Sequence, residues 1–172
     1  MSEYGGNSCS FTPAHPIFVD EIEYQALVDA HIAFKDMSAD PYLLSAGIAQ
    51  HWPYGRGVYI SEDKGFIILV GEEDHLRIMC MKKGTILNEV FDRLKGALDV
   101  VNGIESIGGF AMSDDYGVVT SCPTNRGTGM RASLHIPLPN LTSDGTDATA
   151  KSRAQPRGLC VRGPGSCDQR AG

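Results

Sequence analysis

The chain has 172 residues, 42% hydrophobic and 21% charged, with a formal net charge of −6. These values fit one globular core, and the acidic balance argues against nucleic acid as a partner. The five cysteines are odd in number, irregularly spaced and without a CxxC pair, which indicates neither a disulfide framework nor a zinc site and makes a reducing, cytoplasmic setting the expectation.

No apolar run reaches membrane-spanning length, and MSEYGGNSCSFTPAHP lacks the basic start and apolar centre of a leader, so no membrane partner is expected. Charge is placed unevenly. Residues 1–125 carry 8 Lys/Arg against 18 Asp/Glu, whereas residues 126–172 carry 7 against 3. A basic end on an acidic protein can receive a small anion or can be a solvated tail.

Residues 1–18 hold Gly, Ser, Asn and Pro without periodicity and read as a flexible arm. Ile22, Ala26, Leu27, Ala30 and Phe34 recur at helical spacing over residues 19–35. A second short helix is expected over 42–50, before the turn signal WPYG. RGVYIS (56–61), GFIILV (65–70) and HLRIMCM (75–81) read as strands, with EDK and GEED as hairpin-length links. Thr85 is placed to cap a long amphipathic helix with Ile86, Leu87, Val90, Phe91, Leu94, Leu98 and Val101 on one side, closed by Gly103. Strands resume around GGFAM, YGVVTS and MRASLHIPL. Residues 142–157 lack large apolar side chains and read as loop or disorder, followed by the Gly/Arg-rich GLCVRGPGSCDQRAG. This order predicts an α+β fold, an antiparallel sheet flanked by helices on one face.

Strand alternation places His75, Arg77, Met79 and Met81 on one face, and Leu76, Ile78 and Cys80 on the other. In MRASLHIPL it places Arg131, Ser133 and His135 opposite Met130, Ala132, Leu134 and Ile136. If both strands join one sheet, their shared face is either a forked-donor surface suited to a di- or triphosphate or a solvent face with charge-paired arginines. Cys122, in SCPTNRGTGMR, precedes Thr124, whose hydroxyl can donate to a thiolate that Arg131 would also favour; a buried inert thiol is the alternative. In the turn Glu72-Glu73-Asp74 one carboxylate can hold a cationic group or accept its proton, unless the turn is merely solvated. His31, near a helix end, reads locally as structural or surface-exposed. Neither GxxxxGK[ST] nor GxGxxG occurs. A cysteine hydrolase built on Cys122 and a histidine lacks an apparent orienting third residue.

Together EEDHLRI (72–78), CPTNRGT (122–128) and RASLHIPLP (131–139) resemble the main blocks of the catalytic domain of the ATP:guanido phosphotransferases, the phosphagen kinases such as creatine kinase and arginine kinase. HIAFKD (31–36), LLSAGIAQHWPYGRGVY (43–59) and DKGFIILV (63–70) also fit and point to the creatine-kinase-like branch. The resemblance implies a glutamine-synthetase-like catalytic domain. It also implies reversible transfer of the ATP γ-phosphoryl group to a guanidino nitrogen of creatine, arginine or taurocyamine. Mg²⁺ would be held mainly by phosphates and water. By position, Arg77, Arg131 and Arg162 would grip the phosphates of ATP or ADP and His31 would lie on the adenine side. Ala132, Ser133, Leu134 and His135 would line the nucleotide beside Arg131. Glu73 would hold the guanidinium and take its proton, and Cys122, tuned by Thr124, would pair with the same group. LCVRGPGSCD is similar to the family's mobile substrate loop, which adds Gly163, Pro164, Gly165, Ser166 and Cys167 to the nucleotide contacts.

The departures are specific. Arg126 stands where the family has an aliphatic residue, and Gly71 where the acid block usually opens with Asn. The chain's first arginine is Arg56, so two phosphate-binding arginines of an earlier family segment have no counterpart. The resemblance therefore implies a partial catalytic domain over 19–141, truncated at both ends, with a loop and tail over 142–172. It implies a guanidino kinase, or alternatively a catalytically impaired relative that retains weak nucleotide binding. A truncated sheet would leave an open edge, which brings a homodimer among the expectations.

Overall fold

In the computed structural model, which describes residues 6–104 and 108–161, the hairpin-spaced apolar runs pair as antiparallel neighbours. Strands β1 (Gly6–Ser10), β2 (Gly57–Ser61), β3 (Phe66–Val70) and β4 (Leu76–Cys80) form one sheet in the order β1-β2-β3-β4. The register sets Cys9, Val58, Leu69 and Arg77 side by side, and Asn7, Ile60, Ile67 and Met79 in the next row. Directly opposed residues share a face, so Arg77 extends the row that begins in the core. Leu76, Ile78 and Cys80 occupy the other face, partly rather than fully buried. The expected flexible arm is corrected by β1. GNSCS has no periodicity to announce a strand, yet its backbone groups complete the ladder with β2.

Helix α1 (Glu21–Asp29) starts where the Asp20 carboxylate accepts from the Glu23 amide at 2.9 Å. It stops well before residue 35, because His31 adopts φ +56° and turns the chain back. Phe34 then reaches the core from beyond the helix, packing edge-to-face on Phe11 and Trp52, each at 5.7 Å between ring centroids. Helix α2 (Pro41–Ser45) is capped by Asp40, which accepts from Tyr42 and Leu43. These segments cover the Val58, Ile67 and Leu69 face of the sheet with Phe11, Tyr24, Phe34, Met37 and Ala49. Tyr24 donates its hydroxyl to the Phe34 carbonyl at 2.9 Å; burial and then nearby Asp36 push its pKa up to about 12.

Helix α3 (Leu87–Asn102) packs along β4 and buries Ala97 and Val101. Thr85 is not its cap. Ile86 holds the cap position without a side-chain bond, and Gly103 ends the helix at φ −76° rather than in the left-handed region. Arg93 of α3 forks onto Asp63 in the β2–β3 turn at 2.7 and 2.8 Å, and Ser61 and the Gly65 amide donate to the same carboxylate. The Arg93 bonds first, then Ser61, hold Asp63 well below the usual carboxylate range. A depressed acid contributes stability that is present above its unfolded pKa and lost as pH falls toward the folded one. Asp63→Asn is therefore expected to flatten the fall in melting temperature below about pH 4, with little change at pH 7 beyond the lost pairing.

A small hairpin of β5 (Met112–Ser113) and β6 (Gly117–Val118) follows. The chain divides into two compact units, Met1–Gly129 and Met130–Gly172. All the elements above belong to the first. In the second, residues 130–138 form no strand among the described residues, which corrects the strand expected over MRASLHIPL. Alternation becomes a strand only where a neighbour takes up the backbone groups, and the four-stranded ladder ends at β4. Conversely, the loop expected over 142–157 contains helix α4 (Ala148–Ala154), with Lys151 paired to Asp147 at 2.9 Å. Alanine and an i,i+4 ion pair support a short helix without large apolar residues. No helix among the described residues is long and apolar enough to cross a membrane.

Candidate active site

The β3–β4 turn, residues 71–75, concentrates the chemistry. It opens at Gly71, whose φ of +73° lies in the left-handed region that Gly and Asn tolerate best, which accounts physically for glycine in place of asparagine there. The turn is clamped from below by Arg56. Its guanidinium donates to the carbonyls of Gly71 at 3.2 Å, His51 at 3.3 Å and Tyr54 at 2.6 Å, and also to that of Ile48. A β-carbon added at Gly71 would press on the Arg56 stem at 3.2 Å, so the two residues fit each other closely.

The three acids of the turn have separate tasks. Both Glu72 oxygens accept from one Arg77 nitrogen at 3.0 Å. Arg77 is half exposed, so the pair is a weak tether rather than a buried ion pair. Asp74 accepts from the Ser121 amide at 2.6 Å, a contact spanning 47 residues of sequence. Glu73 stands between them with one carboxylate oxygen enclosed by protein. The solvated-turn reading is thus too bland, because two of the acids are engaged in positioning.

The Asp74 bond draws in the second element. Cys122 precedes a single 3-10 turn, Pro123–Asn125, and Asn125 closes that turn onto the Cys122 carbonyl at 3.0 Å. The Cys122 sulfur lies 2.9 Å from the Thr124 hydroxyl. Once the sulfur is ionised, the hydroxyl is the only donor of that pair. Burial raises the Cys9 and Cys80 thiols above their ordinary range, which favours their protonated form.

The loop is held from the far side by the hairpin. Gly127 donates to the Tyr116 carbonyl at 2.9 Å and accepts from the Val118 amide at 2.8 Å. A β-carbon at Gly117, itself at φ +75°, would lie 2.1 Å from the Gly127 carbonyl oxygen, so only glycine fits there. Arg126 lays its guanidinium over the Tyr116 ring, 5.6 Å from the centroid. The unusual arginine is therefore accommodated by an aromatic neighbour outside the turn itself.

The structure thus brings Glu73 of the turn and Arg77 of the adjoining β4 to the linked loop that carries Cys122 and Thr124, all in the first unit. His31 sits exposed at the end of α1. Arg131, Ala132, Ser133, Leu134 and His135 lie in the exposed, irregular stretch of the second unit, so the single cationic sheet face expected from two alternating strands is not formed. Arg162, Gly163, Pro164, Gly165, Ser166 and Cys167 lie outside the described residues. The tethering role of Asp74, the clamping role of Arg56 and the part played by Tyr116 were not legible in the sequence. The partners of these residues are distant in the chain or are backbone groups, and no local pattern marks such contacts.

The described geometry is an antiparallel sheet flanked by helices, with an acid turn bonded to a cysteine loop. The family model of the ATP:guanido phosphotransferase C-terminal catalytic domain matches residues 9–171, and the chain belongs to that family. It is 44% identical over 143 residues to the arginine kinase of Anthopleura japonica, covering 82% of this chain and 19% of that protein. It is likewise 44% identical over 137 residues to that of Limulus polyphemus, covering 78% of this chain and 37% of that one. Among solved structures, the substrate-free duplicated taurocyamine kinase from Schistosoma mansoni superposes with a TM-score of 0.76 at 33% identity, covering 98% of this chain and 22% of that one. A lombricine kinase matches with a TM-score of 0.76 at 27% identity, covering 97% and 44% respectively. The chain therefore spans less than half the length of each of these relatives.

Proposed function

We propose that this chain carries the phosphotransfer chemistry of a guanidino kinase, moving the γ-phosphoryl group of ATP reversibly to a guanidino nitrogen. The observation that supports this most directly is the Asp74–Ser121 bond, which ties the turn bearing Glu73, and the strand β4 that follows it with Arg77, to the loop bearing Cys122 and Thr124. In this reading Glu73 and the Cys122 thiolate hold the planar guanidinium from two sides. Glu73 accepts the proton released as a guanidino nitrogen bonds to the γ-phosphorus and the bond to the β,γ-bridging oxygen breaks. Arg77 donates to the phosphates and offsets their charge, with His31 on the adenine side; for Arg131, Ala132, Ser133, Leu134, His135, Arg162 and residues 163–167 the nucleotide role rests on the family resemblance alone. Such catalysis rests on placement and charge neutralisation, which suits a site of forked donors and one acid.

Mg²⁺ enters with the nucleotide in this reading, held by phosphates and water. Among the described residues no group of three or more His, Cys, Asp or Glu side chains is arranged to hold a metal ion. The donors of the site, guanidinium and hydroxyl groups, suit phosphate oxygens. The ion would neutralise phosphate charge as the γ-phosphoryl group moves. Arginine and taurocyamine are the acceptors favoured by the relatives, with creatine as a third; the setting we propose is the cytoplasm, where the unpaired Cys9, Cys80, Cys122 and Cys160 remain reduced.

Arg77 in its present state is occupied by Glu72, which favours a second reading, nucleotide binding with low turnover. A coupled assay with arginine, taurocyamine and creatine, run beside calorimetric titration with MgADP, separates the two. Turnover that drops at least a hundredfold in Glu73→Gln and in Cys122→Ser, with MgADP binding intact, is the expected result. MgADP binding without turnover of any of the three acceptors supports the second reading. No MgADP binding at all removes both.

A further inference from the structure

Among the described residues Arg126 is a cation without an anionic partner, and in the sequence it stands four positions after Cys122, the residue that would hold the guanidinium. It follows the 3-10 turn that begins at Cys122, and four residues of such a turn advance only about 8 Å. Among the described residues it forms no ion pair, although Asp114 and Asp115 lie in the same hairpin turn as Tyr116. Its guanidinium is held instead over the Tyr116 ring. A contact with a ring face consumes none of the guanidinium N–H groups, so the fork stays available to an oxyanion.

The position is also fixed. Tyr116 and Gly127 are joined by backbone hydrogen bonding, and the Gly117–Gly127 approach admits no side chain. Side-chain entropy that an exposed arginine would lose on binding an anion is thereby partly lost beforehand. A pre-set, unpaired fork at the edge of a cysteine loop is a recognition group for an acid.

We propose that Arg126 binds the acidic group of the guanidino substrate, so that the chain selects guanidino compounds with a carboxylate or sulfonate tail over those without one. This rests on the guanidino kinase reading, with Cys122 and Glu73 taking the guanidinium end. Arg126 then takes the other end and sets specificity, while the phosphates of the nucleotide remain with Arg77.

The test is calorimetric titration of the chain with arginine and with arginine amide, which keeps the guanidinium and removes the carboxylate. The wild type is expected to bind arginine about tenfold more tightly, the size of one solvent-accessible charge-assisted pair. Arg126→Leu is expected to erase that preference while leaving affinity for the amide and for MgADP unchanged. Arg126→Lys should retain part of it, and Tyr116→Ala should weaken it by freeing the fork. Circular dichroism melts check that each variant is folded. A preference that persists in Arg126→Leu, or an equal loss for acid and amide, overturns the inference and leaves the kinase reading standing. A loss of MgADP affinity instead assigns the fork to phosphate and also overturns it. Failure of both guanidino compounds to bind overturns the inference and the kinase reading together.

Discussion

Replacing Asp74 by alanine is expected to lower the proposed guanidino kinase turnover about tenfold while moving the melting temperature by no more than a few degrees. Asp74 accepts from the Ser121 amide at 2.6 Å, a hydrogen bond by which the acid turn grips the cysteine loop. A hydrogen bond to a carboxylate contributes on the order of 1.5–3 kcal/mol, and the exposed setting puts this one at the lower end. Its loss frees the loop without emptying the core, so the penalty falls on placement of Cys122 against Glu73. Alkylation of Cys122 by iodoacetamide, followed by mass spectrometry, gives a readout independent of turnover. The rate should change in Asp74→Ala and stay unchanged in Asp74→Glu only if the longer side chain still reaches Ser121. An unaltered alkylation rate together with unaltered turnover in Asp74→Ala would sink the positioning role.

Arg56→Ala is expected to have the largest effect on stability, about 3 kcal/mol, or a fall in melting temperature on the order of 10 °C. The substitution strands carbonyls of Ile48, His51, Tyr54 and Gly71 that now share one guanidinium. It also loosens Gly71, the hinge residue of the turn that carries Glu73. Arg56→Lys should recover less than half of the loss, because an ammonium group lacks the planar fork that reaches several carbonyls at once. Lys95→Ala, an exposed substitution on α3, is the control expected to change little. Equal melting temperatures for Arg56→Ala and Lys95→Ala would show that the carbonyl cage contributes nothing.

Much of the fold was legible in the sequence. β2, β3 and β4 are runs rich in apolar residues separated by links too short for anything but hairpins, so their antiparallel pairing follows from composition and link length together. α3 follows from its apolar stripe. β1 was not legible, since Gly, Asn and Ser carry no period and the strand exists through β2. The stretch 130–138 is the opposite case. Its alternation is clear, yet it remains irregular because a pattern supplies no hydrogen-bonding neighbour.

The site divides in the same manner. Cys122 with Thr124 and the acids beside Arg77 are local combinations, recognisable because two or three residues within a few positions define the chemistry. The sequence by itself determined the family and the hairpin sheet. The tertiary structure alone decided that Asp74 is a tether, that Arg56 is a clamp, and that Arg126 rests on Tyr116 without an acidic partner. The physical reason is range. Periodicity and turn chemistry act over a few residues, whereas a carboxylate meeting an amide 47 residues away depends on how the whole sheet brings two loops together.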